Sequence, residues 1–323
     1  MSEFLRNVDA RTKLAGTNKL EILLFSLGLD PRTGRRETYG INVFKVREVM
    51  RTPEITAAPD MPPAIEGMVV LRGALVPVIN LARYAGFEPQ TPREIMIVTE
   101  YNRQTQGFLV EGVDAILRLD WSEMRVPPEM LSAESGGLVT AVTELADGRI
   151  VMMMDVERIL SDSTNHDGES AGIKSVKPID APGATVFFCD DSGVARKQIE
   201  RTLSAMRLNY VSAVNGRHMW EALERAAEQA VQEGRQPEDI VSLVITDIEM
   251  PEMDGYILTK KIKTDPRFSK VPVIMHSSLS GTSNQKLGVS VGVDEYVPKF
   301  DPQKLSKAIE GRLRAARHLE LRS

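Results

Sequence analysis

Several features that would assign this chain to a particular class of protein are missing from its sequence. A single cysteine, Cys189, excludes an internal disulfide, and no cysteine–histidine cluster has the spacing of a zinc site. No apolar run has the length of a signal peptide or of a membrane-spanning helix. Lysine and arginine number 40 against 45 aspartates and glutamates, so the basic excess of a general nucleic-acid binder is absent. We therefore expect a protein of the reducing cytoplasm that neither binds nucleic acid nor inserts directly into a membrane.

What the sequence does contain is enough apolar material for two globular domains. The chain has 323 residues, which is longer than one ordinary hydrophobic core accommodates, and 42% of them are hydrophobic. The segment Ser161–Gly183 is rich in serine, aspartate, glycine and proline and has no helical or strand period, which predicts a linker. The predicted parts are an N-terminal segment (1–18), a first domain (19–160), the linker (161–183), a second domain (184–316) and a C-terminal tail (317–323).

The first domain has the pattern of a mainly-β fold. Short apolar runs, many of them alternating or rich in valine and isoleucine, are separated by turn residues. The predicted strands are Leu20–Leu27, Glu37–Ile41, Gly67–Leu71, Ala74–Leu81, Glu94–Thr99, Gly107–Val113 and Ile150–Met154. Helices are predicted only at Val43–Met50 and Val156–Ser161.

The second domain alternates short apolar strands with amphipathic helices. The predicted strands are Thr185–Cys189, Tyr210–Ala213, Val241–Thr246, Val271–His276 and Glu295–Val297. Between them lie helices with apolar stripes, including Tyr256–Lys263 and a weaker one at Ser283–Val291, and a last helix begins at Asp301 and Pro302. Five β–α alternations in one domain predict an α/β fold with a doubly wound parallel sheet.

One edge of this predicted sheet collects reactive side chains, because ligand sites of open α/β sheets lie beyond the carboxyl ends of the strands. The residues at those ends are Asp190 and Asp191 after the first strand, Asp247 after the third, Ser277 after the fourth and Lys299 after the fifth. Each residue alone would be unremarkable, since loop aspartates and surface lysines are common. Their joint placement predicts that they converge on one site.

The convergence of three carboxylates predicts a metal site. Their mutual repulsion requires a cation, and Mg²⁺ prefers hard oxygen ligands. With the metal bound, Asp247 becomes a nucleophile able to take up a phosphoryl group as an aspartyl phosphate. Lys299 and Ser277 would then stabilise the oxygens of that group.

The order of these residues resembles the receiver domains of two-component signalling, and so does the sequence TDIEMPEMDG around Asp247. The resemblance implies that Asp190 and Asp191 are metal-site acids and that Asp247 is the phosphoacceptor. It also implies that Glu249 offers its backbone carbonyl to the metal and that Tyr296 is an aromatic switch residue. One position departs from the pattern: receivers usually have proline directly after the lysine, and here Phe300 follows Lys299. This departure predicts a different path for the loop that follows Lys299.

Two stretches of the first domain, TYGINVFKVREVM at Thr38–Met50 and IEGMVVLRGALVPVINLARYAG at Ile65–Gly86, resemble the CheW family of chemotaxis adaptors. That family's fold is a pair of small β-barrels. The tight turn at Gly73 is expected to display Arg72 beside it, and the resemblance places Arg72 in the region that meets the chemoreceptor.

A CheW-like domain followed by a receiver is the arrangement of the CheV family, and the stretch DARTKLAGTNKLEILLF is similar to the opening of its members. The resemblance implies an adaptor, not an enzyme, that couples chemoreceptors to the chemotaxis histidine kinase. Phosphorylation of Asp247 would adjust signalling, as adaptation or as a phosphate sink. We expect it in the cytoplasm, at receptor arrays through its partners.

Three alternatives remain open. A hydrolase of the haloacid-dehalogenase type also uses an aspartate nucleophile with Mg²⁺, but it expects a second aspartate where Glu249 stands. A transcriptional regulator is disfavoured by the acidic balance and the missing DNA-reading helix. A receiver used only for docking is disfavoured by the intact acids, although the Lys299–Phe300 departure is compatible with it.

Overall fold

The computed structural model describes residues 19–30, 33–57, 59–62, 64–86, 94–101, 104–128, 138–163, 173–278, 288–299 and 301–320. The chain divides into two compact units, one formed by Leu20–Ser163 and the other containing Thr164–Ser323. The predicted N-terminal segment, residues 1–18, lies outside the described residues. No helix in the described part of the chain is long and apolar enough to span a bilayer.

The first unit is built mainly from strands. They are β1 (Lys19–Leu29), β2 (Arg36–Asn42), β3 (Val46–Arg51), β4 (Ile65–Leu71), β5 (Ala74–Asn80), β6 (Ile95–Tyr101), β7 (Gln104–Val110), β8 (Gly112–Asp120), β9 (Val139–Glu144) and β10 (Ile150–Met154). Over the described ranges they form two five-stranded sheets, with strand orders β8-β1-β2-β10-β9 and β3-β6-β7-β5-β4. The predicted mainly-β architecture is confirmed.

Each sheet of the first unit has its own apolar core. Alternate residues of β1, namely Leu20, Ile22 and Leu24, pack with Trp121 and Met153. The other sheet has a separate cluster on one face, formed by Val69, Val76, Val78, Met96, Val98 and Leu109. Two cores follow from the period-2 alternation of the strands, which gives each sheet one apolar face to bury.

The predicted helix at Val43–Met50 is wrong. Only Val43–Lys45 is helical, as one 3₁₀ turn that begins at Asn42, and the chain then continues as β3. Strand β3 pairs antiparallel with β6, Val49 opposite Ile97. The valines in this stretch lose side-chain freedom in a helix and fit a pleated sheet, so the pairing with β6 determines the outcome.

Three further elements of the first unit differ from the sequence prediction. Strand β5 ends at Asn80, whose side chain accepts a hydrogen bond from the Arg83 amide and begins a short helix, α1 (Leu81–Tyr84).

Strands β8 and β9 had no predicted counterpart over most of their length. Residues of β8 are half-buried or exposed, because β8 lies at the edge of its sheet, and this weakens the alternation. Helix α2 (Val156–Ser163) closes the unit, as predicted.

The second unit is an α/β fold. Its strands are β11 (Thr185–Cys189), β12 (Asn209–Ala213), β13 (Leu243–Thr246), β14 (Val273–Ser277) and β15 (Glu295–Pro298). Its helices include α3 (Gly193–Ala205), α4 (Gly216–Glu233), α5 (Pro237–Ile240), α6 (Gly255–Thr264) and α7 (Pro302–Glu320). Helix α5 was not predicted. Of the predicted helix Ser283–Val291, only residues 288–291 lie inside the described part, and they are helical.

The five strands of this unit form one parallel sheet in the order β12-β11-β13-β14-β15. Both faces are covered, and β11 shows how: Val186 and Phe188 belong to the core beneath α3 and α7. Phe187 and Cys189 belong to the opposite core, with residues of α4 and α6. A strand buried on both faces needs apolar residues at its buried positions, which explains the continuous apolar run VFFC. The predicted doubly wound sheet is confirmed.

The buried position of Phe188 leads to a stability prediction. Its side chain is fully buried, so we expect Phe188→Ala to leave a cavity and to lower the free energy of unfolding by about 3–5 kcal/mol. Guanidinium unfolding followed by circular dichroism measures the change. Val231→Ala is the control, because Val231 is 78% exposed and should change stability by less than about 0.5 kcal/mol. Equal effects of the two substitutions would contradict the described packing.

Candidate functional site

The carboxylates that the sequence predicted to converge do lie together. Asp190 and Asp191 directly follow β11, and Asp247 directly follows β13, its neighbour in the sheet. One oxygen from each of the three carboxylates lies within 4.8 Å of the others. Strand β12 pairs with one edge of β11 and strand β13 with the other, so the strand order reverses direction between β11 and β13. In parallel sheets, ligand-binding crevices form where the strand order reverses in this way.

Lys299 is the cation of this cluster and is completely buried. Its Nζ lies 2.8 Å from Oδ2 of Asp190 and 2.9 Å from Oδ2 of Asp247. A buried ammonium is costly unless it is paired and hydrogen-bonded, and the two carboxylates meet that need. Lys299 therefore joins the ends of three strands, β11, β13 and β15.

Asp190 is fixed by its own backbone and by the helix that follows. Its Oδ1 accepts a hydrogen bond of 3.0 Å from the Ser192 amide, and Ser192 in turn caps α3. Its carbonyl oxygen accepts a hydrogen bond of 2.6 Å from Nη1 of Arg196, one turn into α3. The start of α3 is thus attached to the acidic cluster by two side chains.

Asp247 is held at the end of β13 by short contacts. Its Oδ1 accepts a hydrogen bond of 2.7 Å from the Ile248 amide, and its own amide donates to the carbonyl of Cys189 at 3.0 Å. Gly255 begins α6 against this segment, so closely that an added Cβ would lie 1.9 Å from the carbonyl oxygen of Asp247. The glycine of the MDG sequence is therefore required by the close approach of α6 to the acidic residue.

Ser277 and Tyr296 are in contact at the neighbouring strand ends. Ser277 is the buried last residue of β14, and its side chain is hydrogen-bonded to that of Tyr296 on β15. Burial raises the pKa of the Tyr296 phenol, while this hydrogen bond acts in the opposite direction. The phenol is consequently neutral at physiological pH and remains able to donate a hydrogen bond.

Two residues near the site were missed by the sequence analysis. Tyr256, in the first turn of α6, is buried in a small apolar cluster with Ile248 and Met275, against which Tyr296 packs. Burial raises the pKa of Tyr256, and the electrostatic interaction with Tyr296 raises it further. The other missed residue is Arg196. Neither residue belongs to a recognisable sequence motif. A tyrosine or an arginine on a helix does not indicate a functional role until its packing is known.

Cys189, at the end of β11, is not a nucleophile of this site. Burial strongly raises the pKa of its thiol, and the hydrogen bond to Thr246 opposes this only in part. The Sγ atom lies 3.4 Å from Oγ1 of Thr246. A buried neutral thiol is a small packing group, so the chemistry of the site belongs to the carboxylates.

The donor set fits a divalent cation of the magnesium type. Mg²⁺ binds hard oxygen ligands, usually one or two carboxylates with retained waters, at about 2.1 Å. Three carboxylates lie together and the ammonium of Lys299 pairs with two of them, so their negative charge exceeds the charge of that cation. Glu249 lies two residues after Asp247 and is buried. Within the described residues, Asp190, Asp191 and Asp247 are the candidates to hold such an ion.

Arg72 lies in the first unit, at the tip of the hairpin formed by β4 and β5. Arg72 and Gly73 have φ angles of 51° and 83° and form the turn, with Leu71 opposite Ala74. The arginine side chain is 68% exposed, and its Nη2 lies 3.0 Å from Oε2 of Glu48. The predicted display of Arg72 beside Gly73 is confirmed in geometry.

Phe300, the residue that departs from the receiver pattern, lies outside the described residues.

Comparison with protein families and known proteins gives consistent matches for both units. Residues 28–164 match the CheW-like domain, and residues 186–310 match the response regulator receiver domain. The chain is 31% identical over 300 residues to chemotaxis protein CheV3 of Helicobacter pylori, covering 90% of this chain and 94% of that protein. It is also 31% identical to chemotaxis protein CheW of Klebsiella aerogenes, over 46% of this chain and 87% of that protein. Chemotaxis protein CheY1 of Helicobacter pylori is 35% identical over 39% of this chain and 93% of its own length.

The contact between Gly255 and Asp247 can be tested by substitution. We expect Gly255→Ala to displace the start of α6 from the Asp247 carbonyl and to lower the free energy of unfolding of the second unit by about 1–3 kcal/mol, as overpacking does. Urea unfolding of the full chain measures this change in the free energy of unfolding.

The matched control is Gly311→Ala in α7, where an added Cβ meets nothing within 4 Å. This control should raise stability by about 0.5–1 kcal/mol, since alanine is the better helix residue. A neutral Gly255→Ala would contradict the tight packing of α6 against the acidic residue.

Proposed function

Because this chain belongs to the CheV family of chemotaxis proteins, we propose that it is an adaptor that couples chemoreceptors to the chemotaxis histidine kinase and is regulated by phosphorylation of Asp247. The observation that supports regulation is the cluster of Asp190, Asp191 and Asp247, in which the buried Asp190 and Asp247 pair with Lys299. The CheW-like unit supports the coupling role, and the receiver unit would adjust it, as adaptation or as a phosphate sink.

The phosphoryl transfer follows from the chemistry of the carboxylate. An oxygen of Asp247 attacks the phosphorus of a phosphohistidine on the kinase, so that a P–O bond forms and the P–N bond breaks, with the electron pair leaving on the imidazole nitrogen. When bound, Mg²⁺ would neutralise charge on the phosphoryl oxygens and on the acids. The hydrogen bond from the Ile248 amide orients the Asp247 carboxylate for this attack.

Lys299 and Ser277 are the groups we assign to the transferred phosphoryl. The ammonium of Lys299 now contacts Oδ2 of Asp247, the carboxylate that would carry the group, so it is within reach of the new oxygens. Ser277 would donate its hydroxyl proton to them, which requires it to exchange its hydrogen bond with Tyr296. In this proposal Tyr296 registers the change, as a switch residue, and Glu249 contributes its backbone carbonyl to the metal.

For the coupling role, the hairpin of β4 and β5 offers a surface suited to a protein partner. Val70 and Leu75 lie directly opposite each other across the hairpin and are 66% and 68% exposed. Arg72 lies between them at the tip, in a backbone conformation that residues other than glycine rarely adopt. Arginine is among the residue types enriched in interface hot spots, and the exposed apolar pair beside it offers surface that a partner can bury. We assign this surface to the chemoreceptor and kinase contacts.

The phosphoacceptor is tested by mass spectrometry. Incubation of the protein with Mg²⁺ and acetyl phosphate should add one phosphate to the intact mass, and Asp247→Ala should abolish the gain because the attacking carboxylate is lost. Asp239→Asn is the control: it alters an exposed aspartate of the same unit and should leave the gain intact. Phosphorylation that persists in Asp247→Ala would refute the assignment. Multiple turnover of the phosphodonor without a stable phosphoprotein would favour the hydrolase alternative.

The role of Arg72 is tested by co-sedimentation with receptor-containing membranes and the kinase. Arg72→Ala should weaken binding by roughly tenfold, as expected for a central interface arginine. Arg118→Ala is the matched control, since Arg118 is another exposed arginine of the first unit in an ion pair, with Glu21 at 2.6 Å. If both variants bind as the unsubstituted protein does, Arg72 is not an interaction residue.

A further inference from the structure

Part of the segment that the sequence predicted as a linker is docked on the second unit. We define residues 175–181 as the docking arm. Val176, Ile179 and Ala181 are half-buried and pack against the core that lies between α3, α7 and the sheet. The intervening residues 177, 178 and 180 are exposed, so one side of the arm faces the protein and the other faces solvent.

Two polar contacts fix the ends of the docking arm to two different helices. Nε2 of Gln303, in the first turn of α7, donates to Oγ of Ser175 at 2.8 Å. The amide of Ile179 donates to the carbonyl of Met206 at 3.1 Å, at the C-terminal end of α3. The arm thus bridges the start of α7 and the end of α3.

Both of these helices begin at the acidic site. Helix α3 starts immediately after Asp190 and Asp191 and is tied to Asp190 by Arg196. Helix α7 starts three residues after Lys299, which is paired with Asp190 and Asp247. A helix of 13 residues such as α3 is a rod of about 20 Å, so a tilt at its N-terminus also moves its other end.

From this geometry we propose that the docking arm is a phosphorylation-sensitive strap, which is held on the α3–α7 face while Asp247 is unmodified and is released when Asp247 is phosphorylated. The inference rests on the proposed function. A phosphoryl group on Asp247 draws the Lys299 ammonium away from its two carboxylates, which pulls on the chain leading to Gln303. The short bond between Gln303 and Ser175 breaks first, because it is exposed and lies closest to Lys299 along the chain.

Release of the arm would expose its apolar side, formed by Val176, Ile179 and Ala181, and the part of the core between α3, α7 and the sheet that this side covers. The phosphorylation state of Asp247 would thereby set whether this face of the second unit is covered.

Hydrogen–deuterium exchange of the full chain tests the proposal, with Mg²⁺ alone and with Mg²⁺ plus beryllium fluoride, a mimic of the phosphoryl group. We expect the arm amides that are hydrogen-bonded, those of Val176 and Ile179, to exchange roughly tenfold faster with beryllium fluoride, as locally opened segments do, while residues 247–254 become more protected. Gln303→Ala should give fast exchange of the arm in both conditions. Lys307→Ala, an exposed change further along α7, should behave as the unsubstituted protein.

The outcomes separate this inference from the proposed function. Protection of residues 247–254 with no change in the arm would overturn the strap and leave the phosphoryl site standing. No change in either segment would overturn both. Unprotected exchange of the arm in Mg²⁺ alone would show that it is not docked, and would also overturn the proposal.

Discussion

The buried ion pairs of Lys299 are the interaction on which the second unit depends. An ammonium with no solvent exposure contacts two carboxylates that follow different strands, at 2.8 and 2.9 Å. Removing any partner would leave an uncompensated buried charge, which costs several kcal/mol. The lysine therefore fixes the relative positions of the loops after β11, β13 and β15, and it makes the carboxyl edge of the sheet one connected structure.

The same pairing leaves the site with more negative than positive charge. Three carboxylates lie together, and the single ammonium of Lys299 pairs with two of them. Such a site favours the binding of a cation. A group that competes for Lys299 would weaken the ion pairs that connect the loops after β11, β13 and β15. A phosphoryl group on Asp247 would be such a competitor. The switch that we propose at Ser277 and Tyr296 and the proposed release of the docking arm would both depend on this exchange of partners.

The first unit contributes a different kind of surface. Its two sheets bury one apolar face each, and the hairpin of β4 and β5 leaves an opposed valine and leucine exposed with Arg72 at its tip. In the described part of the chain, the cluster of three potential metal ligands belongs to the second unit. The division of labour that we propose, with a docking unit and a phosphoryl-accepting unit, rests on where these groups lie.

The sequence by itself determined the βα alternation of the second unit, the apolar strands and the acids at their ends, because parallel strands bring their carboxyl ends together whatever the helices between them contain. It also indicated the tight turn at Arg72 and Gly73. Only the tertiary structure decided that Val43–Met50 is a 3₁₀ turn and a strand, since the pairing partner β6 is about fifty residues away in sequence. Likewise, the burial of Tyr256 and the docking of residues 175–181 leave no local pattern. They depend on contacts between distant segments, and a contact of that kind exists only once the chain has folded.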